Sequence, residues 1–273
     1  AILAWCAGAA LGLCGMTFQA LFRNPLAEPS TLGVSSGAAF GASMAIRLGL
    51  GAGILGNVAV PVSAFGGAIL AVLIISAFSR MAKGASNAAL LLAGVAVNSL
   101  FSSLIMIFQY AGGSAESYKL LSWTMGGISA VGMKDGLLGV PALALAFCLS
   151  SLYSTELDLI TFGDEIAAAR GVAIERTRRI LFAGMSMSVA IVVANCGPIA
   201  FLGLAAPHAA RRLVGAKHKI LAAASAAVGG TALVICDTAA RTLWAPSDLP
   251  VGIIVSFLGA PFFFWLLFGR KIW

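Results

Sequence analysis

An all-α, polytopic transmembrane bundle is the fold class that this sequence predicts, and three observations predict it. Hydrophobic residues make up 60% of the 273 and charged residues only 10%, with a mean hydropathy of +1.00, so a monomer could not stay in water. Runs close to the roughly 20 apolar residues needed to cross a bilayer recur along the whole chain. They are apolar on every side, which excludes the short alternating strands of a membrane barrel. Finally, the basic residues fall mostly on one side when the runs are threaded alternately through a membrane.

The runs resolve into about nine candidate helices. Residues 1–22 are apolar from the first residue. They end at Arg23-Asn24-Pro25-Leu26-Ala27-Glu28-Pro29, where two prolines and an Asn cannot continue a helix, and where Arg23 and Glu28 place the turn in water or headgroups. Residues 32–50 carry Gly33, Gly37 and Gly41 at four-residue spacing, as Gly8 and Gly12 do in the first helix, a pattern that lets helix backbones approach closely in lipid. Residues 56–78, 88–111 and 136–153 follow as further apolar runs. Asn195-Cys196-Gly197-Pro198 is a turn between 180–196 and 198–210, whose second arm is short for a span. Two spans or a re-entrant hairpin would both leave Arg178, Arg179, Arg211 and Arg212 on one side. Residues 220–244 and 250–269 complete the set, and the chain forms a single membrane domain, 1–273.

With the Arg23 loop placed in the cytoplasm, 13 basic residues lie inside, among them Arg80, Lys83, Arg170, Arg176, Lys217, Lys219, Arg270 and Lys271. Four lie outside: Arg47, Lys119, Lys134 and Arg241. The net charge of +7 therefore reports topology, and no nucleic-acid surface is read from it. Cys6, Cys14, Cys148, Cys196 and Cys236 stand singly in apolar runs without a C-x-x-C pair, as small core residues do. His208 and His218 are too isolated for a metal or haem cage, so neither metal nor cofactor is expected. Residue 1 is an Ala already inside an apolar run, so the chain is expected to begin mid-protein.

The Arg23–Pro29 loop and the following Leu32-Gly33-Val34-Ser35-Ser36-Gly37-Ala38 are similar to R-N-P-L-A-x-P and L-G-x-S-x-G-A. That pair marks the permease subunits of type II ABC importers for iron-siderophores, haem and vitamin B12. Further resemblances follow in order. Leu91-Leu92-Ala93-Gly94-Val95-Ala96 resembles that family's L-L-A-G-x-A, and Trp123-Thr124-Met125-Gly126-Gly127 its W-x-M-G-G. Gly197 to Arg211 resembles G-x-I-x-F-I-G-L-x-x-P-H-x-x-R, and Asp237 with Arg241 resembles D-x-x-x-R. Asp248-Leu249-Pro250-Val251-Gly252 resembles E-x-P-x-G with Asp for Glu, which keeps the charge, and Gly259-Ala260-Pro261-Phe262-Phe263 resembles G-A-P-x-F. The resemblance implies a tenth helix ahead of residue 1.

Thr161 to Arg179 is the most charged stretch. Asp164 and Glu165 suit a helix's first turn, Ala167 to Ala169 favour helix, and Gly171 suits a C-terminal cap. By residues alone it is equally a solvated basic loop. The resemblance to E-A-A-x-x-x-G makes it a coupling helix that sits in a cleft of an ATPase, with Gly163, Asp164, Glu165, Ala167, Ala168, Arg170 and Gly171 as its residues. Pro207 favours a kink or an end within its apolar helix. His208 and Arg211 share one face near the inner boundary, where they would fix that helix end. Arg23, Asn24, Pro25, Pro29, Pro207, His208, Arg211 and Asp237 are thus structural motif residues.

Asp237 and Arg241 form an i, i+4 pair that lowers the cost of each charge in lipid, a structural pairing. The resemblance also makes Arg241 the candidate that docks the binding protein. Asn98, Ser102 and Gln109 stripe one helix face, towards either a water-filled path or another helix, and the resemblance favours the path. Residues 112–121, with Glu116 and Lys119, would be a short gating helix at the outer mouth, and Trp123 an interface anchor. Ser86 and Asn87 would belong to the inner gate.

What this implies is a permease of the bacterial inner membrane, not an enzyme, moving a ferric siderophore or similar iron chelate inward by ATP-driven alternating access. Haem or cobalamin is the alternative cargo. No G-x-x-x-x-G-K-[ST] loop occurs, so ATP hydrolysis is assigned to separate cytoplasmic ATPase subunits. A periplasmic or lipid-anchored substrate-binding protein and a second permease subunit, identical or paralogous, are the other partners, with membrane lipid around them. An ion-coupled secondary transporter would show paired broken helices and an unpaired intramembrane acid, which Asp237 beside Arg241 fits poorly. An intramembrane enzyme would need a nucleophile with a base, or a metal set, and neither constellation is visible.

Overall fold

A computed structural model describes residues 1–28, 30, 33–50, 58–81, 87–128, 136–243 and 248–268. Among them are twelve α-helices and no strand, as expected of a polytopic bundle. They are α1 (Ile2–Phe22), α2 (Val34–Arg47), α3 (Ala59–Met81), α4 (Asn87–Ala111), α5 (Ser114–Thr124), α6 (Val140–Leu152), α7 (Ser154–Phe162), α8 (Asp164–Ala169), α9 (Ile174–Cys196), α10 (Leu202–Val214), α11 (His218–Thr242) and α12 (Val251–Phe268).

Five of them, α1, α3, α4, α9 and α11, contain stretches long and apolar enough to cross a membrane alone. The segment 137–152 meets α7 at a bend of 61°, and the pair together has the length and composition of either a broken span or a re-entrant loop. Helices α2 and α10 are short, at 14 and 13 residues. At 1.5 Å per residue they reach about 20 Å, well under a hydrocarbon core of roughly 30 Å. The expected 32–50 helix is therefore shorter than a span, and the arm after the Asn195–Pro198 turn is short, as its sequence indicated. The expected 198–210 helix runs instead over Leu202–Val214, because 197–201 is spent on the turn and Pro207 is accommodated inside the helix.

Helix α1 is the axis of the bundle, with nearly every residue from Leu3 to Phe22 buried. Its neighbours are α11, α10, α6 and α9. Three glycines set how close they come: a Cβ on Gly8 would overlap the carbonyl oxygen of Gly229, one on Gly12 that of Ser225, and one on Gly15 that of Gly203. Lipid tails are as apolar as leucine, so close backbone packing rather than escape from water holds such helices together. A second pair, α2 and α3, meets in the same way through Gly37 and Gly67, and through Gly41 and Ser63. Phe18, Phe22 and Phe182 close the inner half of the core with ring centroids 6.1 to 6.5 Å apart. Four of the five cysteines are buried, as small core residues; Cys148 is exposed.

Helices α4 and α12 lie at the rim and expose broad apolar faces, with Leu92, Leu100, Met106 and Ile107 on one and Phe257, Leu258 and Phe264 on the other.

Candidate functional site: a coupling end and an outer mouth

The two ends of the bundle are built differently. At the inner end, Gly163 (φ 128°) breaks α7 from α8, and Gly171 (φ 85°) follows α8 in the left-handed region. The Gly171 N–H donates to Ala168 O at 2.9 Å and the Val172 N–H to Ala167 O at 3.0 Å, so the expected glycine cap is present. One face of this six-residue helix is seated through Ala167, which is fully buried, while Glu165, Ala168, Ala169 and Arg170 are exposed. Asp164 accepts from Arg178 Nη2 of α9 at 2.8 Å. Large apolar side chains of Phe162 and Ile166 stand 73% and 51% exposed beside these charges.

Sequence reasoning missed a second tether. Asp158 of α7 accepts from the backbone N–H of His218 at 3.0 Å, and its Oδ1 lies 2.6 Å from the imidazole Nδ1. Asp158 and His218 are 60 residues apart, and nothing in their local patterns pairs them.

Arg211 reaches α1 instead of the coupling segment, its Nη2 donating to Gln19 Oε1 at 3.2 Å. Gln19 in turn donates to Leu204 O at 3.5 Å, so Gln19 is the hidden partner that ties α10 to α1. His208 is buried, and its Nδ1 has no hydrogen-bond partner among the described residues.

The Arg23 loop also differs from expectation in part. Arg23 is exposed and adopts the left-handed conformation (φ 50°), with its own N–H and that of Asn24 returning to Ala20 O and Gln19 O. Asn24 Oδ1 accepts from the Leu26 N–H at 3.0 Å, which makes the tight turn and explains an Asn before Pro25. Glu28, expected in water or headgroups, is buried at 6% exposure and held by Ser30 and the backbone N–H of Phe201. The loop folds back into the protein because Phe201, left-handed itself at φ 64°, offers an N–H there that nothing in its own helix accepts. Pro29 lies outside the described residues.

At the outer end, Arg241 Nε donates to both carboxylate oxygens of Asp237 at 3.1 Å, and its Nη2 donates to Ile128 O. Asp237 is 10% exposed at its side chain and Arg241 45%, so the pair is built and the Arg241 side chain remains partly accessible. The expected helix at 112–121 is α5, running three residues further to Thr124. Glu116 there is paired with Arg47 at the end of α2, which also donates to Ala111 O.

The polar stripe of α4 divides. Asn98 donates to Ser30 O at 3.0 Å, which makes it a contact to the α1–α2 loop, whereas Ser102 is exposed and Gln109 half-buried. Ser86 lies outside the described residues, as does the side chain of Asn87. A cavity of about 520 Å³ lies where three interrupted elements meet, lined by Ser30, Ser35, Thr124, Pro198, Gly252 and Ser256 among others. The three chain segments beside it are locked together: Gly127 N–H donates to Cys196 O at 2.8 Å and Gly252 N–H to Gly126 O at 3.2 Å. The motifs W-x-M-G-G, G-P-I-A-F and D-L-P-V-G thus come together in space through their glycines.

The chain as a whole is similar to known proteins. The cobalamin import system permease protein BtuC of Halobacterium salinarum is 37% identical over 97% of this chain and 70% of its own length. The iron(3+)-hydroxamate import system permease protein FhuG of Bacillus subtilis is 35% identical over 97% of this chain and 80% of its own length. A metal-chelate type ABC transporter solved in an inward-facing conformation superposes with a TM-score of 0.86 at 29% identity, covering 98% of this chain and 84% of that one. PsaBC from Streptococcus pneumoniae, at 22% identity and a TM-score of 0.69, shares the fold. The sequence profile of the FecCD transport family matches residues 1–269, and the chain belongs to that family, as a membrane-spanning permease of an ABC importer.

Proposed function

We propose that this permease carries a ferric siderophore or a similar iron chelate inward across the bacterial inner membrane, driven by ATP hydrolysed on separate cytoplasmic ATPase subunits. The observation that carries the coupling half of this reading is α8, a capped helix with Phe162 and Ile166 exposed at the basic end of the bundle. Its exposed Glu165, Ala168, Arg170 and Gly171 form a knob in which two small residues stand among charges, and Asp164 holds it to α9. Iron chelate as cargo is supported by the hydroxamate permease among the relatives.

At the outer end Arg241 is the residue offered to a periplasmic or lipid-anchored binding protein, with the accessible part of its side chain as the contact. Two permease copies, identical or paralogous, enclose the path, and Ser102 and Gln109 face it. Asn98 sets the α1–α2 loop at its edge. Cobalamin is the second reading, favoured by the 37% identity to cobalamin permeases. Proteoliposomes holding the permease, its ATPase and its binding protein decide between them. Uptake of a ferric trihydroxamate that requires ATP is the expected result, and ATP-dependent uptake of cyanocobalamin without iron-chelate uptake would reassign the cargo.

A further inference from the structure

Helix α11 is fastened at both ends to segments that face different partners. At its inner end, Lys217 gives no side-chain cap, and Asp158 takes that place by accepting the backbone N–H of His218. The same Oδ1 lies 2.6 Å from His218 Nδ1. An ionised carboxylate only accepts, so Nδ1 carries the hydrogen of that contact. Asp158 sits in α7, six residues ahead of Asp164 where α8 begins, with Gly163 between them. At its outer end α11 carries Asp237 and Arg241, and Arg241 is bonded onward to Ile128 O. Along its middle, Gly229 meets Gly8 and Ser225 meets Gly12 at backbone contact, so α11 cannot slide on α1 without parting them.

We propose that the Asp158–His218 contact is a positioning joint, through which a displacement of α8 by its cytoplasmic partner becomes a displacement of α11 and of the outer end at Arg241. The inference rests on the reading of α8 as the coupling helix. A plain helix cap would need only the Asp158 carboxylate and the His218 backbone N–H. A joint between side chains also needs the imidazole, which is 5% exposed and reaches no other recorded partner, its Nε2 being unsatisfied among the described residues. The two roles therefore separate at the imidazole.

The test uses the whole transporter, permease with ATPase and binding protein, in proteoliposomes. The readout is the stimulation of ATP hydrolysis by the binding protein relative to its absence, beside the melting temperature of the purified permease. His218→Asn keeps an N–H close to the position of Nδ1 and is expected to hold stimulation within about twofold of the parent. His218→Leu is expected to lower it by about fivefold or more, the lower end of ordinary coupling energies. Wild-type stimulation in His218→Leu overturns the joint, and so does an equal fall in the Leu and Asn variants that tracks melting temperature. Should His218→Leu yield no folded protein, His218→Ala decides: its backbone N–H can still be accepted by Asp158 while the side-chain contact alone is lost, and an unchanged stimulation there overturns the proposal. A cysteine at Glu165 separates the two readings. If it forms no cross-link to the ATPase, the coupling assignment of α8 fails and the joint with it. If it cross-links while His218→Leu stimulates normally, the joint alone fails.

Discussion

The glycines of the α1–α11 seam and those flanking α8 are the same residue put to opposite uses. Around Gly8, Gly12 and Gly229 there is no room for a methyl group, and the backbone is ordinary helix. Around Gly163 and Gly171 nothing lies within 4 Å, and it is φ, at 128° and 85°, that calls for glycine. The seam is thus rigid because atoms fill it, whereas the coupling end is shaped by its own backbone and tied down by two side chains, Asp158 and Asp164. Under the coupling reading of α8, such a bundle would pass on motion from that end without coming apart in the middle.

The largest effect should come from the seam. Gly8→Val would drive a branched side chain into the Gly229 carbonyl, where the obstruction is backbone rather than a movable side chain. Overpacking of this kind typically costs about 1–3 kcal/mol, and more where nothing yields. The expected outcome is little folded permease after detergent extraction, measured by size-exclusion chromatography. Normal yield and melting temperature would mean that α1 and α11 can separate, and the contrast with the coupling end would collapse.

How much of this was legible in sequence follows from the same contrast. Gly8 and Gly12 announced close packing by their spacing, and Gly171 announced a cap by following Asp164 to Ala169, because both signals are local. Glu28 misled for a physical reason: a carboxylate beside two prolines reads as solvated, and only the fold brings it to the N–H of Phe201. Gln19, Asp158 and Arg47 were overlooked because their partners lie 192, 60 and 69 residues away. The shortness of α2 was hidden too, whereas that of α10 was visible as an apolar run too short for a span, since apolar composition does not tell a helix that crosses the membrane from one that begins within the bundle.

A smaller effect is expected at the outer end, where α11 is tied by charge rather than by contact. Arg241→Glu sets two carboxylates four residues apart on one helix and frees Ile128 O, with Asp237 buried and Arg241 half in solvent. Screening at the exposed partner limits the loss to about 1–2 kcal/mol, between the values for exposed and buried pairs. As a docking residue, the variant should also lose affinity for the binding protein, with partial recovery from a reciprocal Glu→Arg change on that protein. Unchanged affinity with a lowered melting temperature would leave Arg241 a structural residue only.

At the coupling end, Gly171→Val should cost less stability than Gly8→Val, where nothing can yield, but be severe in transport. Open space surrounds the position, so the cost is that of forcing a β-branched residue to φ 85°, about 1–3 kcal/mol. The cap on α8 would then shift, and uptake should fall while the ATPase still co-purifies. Normal uptake together with normal assembly would remove α8 from the mechanism. Gly171→Ala, which meets a smaller strain, should lie between the two.

The smallest stability effect should be at Arg47, and for that reason it tests whether the outer mouth resembles the seam or the coupling end. Arg47 and Glu116 are 35% and 43% exposed at their side chains, a setting in which ion pairs are worth about 0–1 kcal/mol. Arg47→Gln should therefore shift the melting temperature only slightly, the amide keeping a donor within reach of Ala111 O. What it removes is the charge that holds the α4–α5 corner against the end of α2. If α5 is held as α8 is, by side-chain tethers on a mobile piece, cysteines placed at Ser102 and Gln109 should react faster with a water-soluble thiol reagent in the Arg47→Gln background, once the native cysteines are replaced. If α5 is held by packing, through Leu120 and the half-buried Trp123, labelling rates will match the parent, and the outer mouth belongs with the rigid seam.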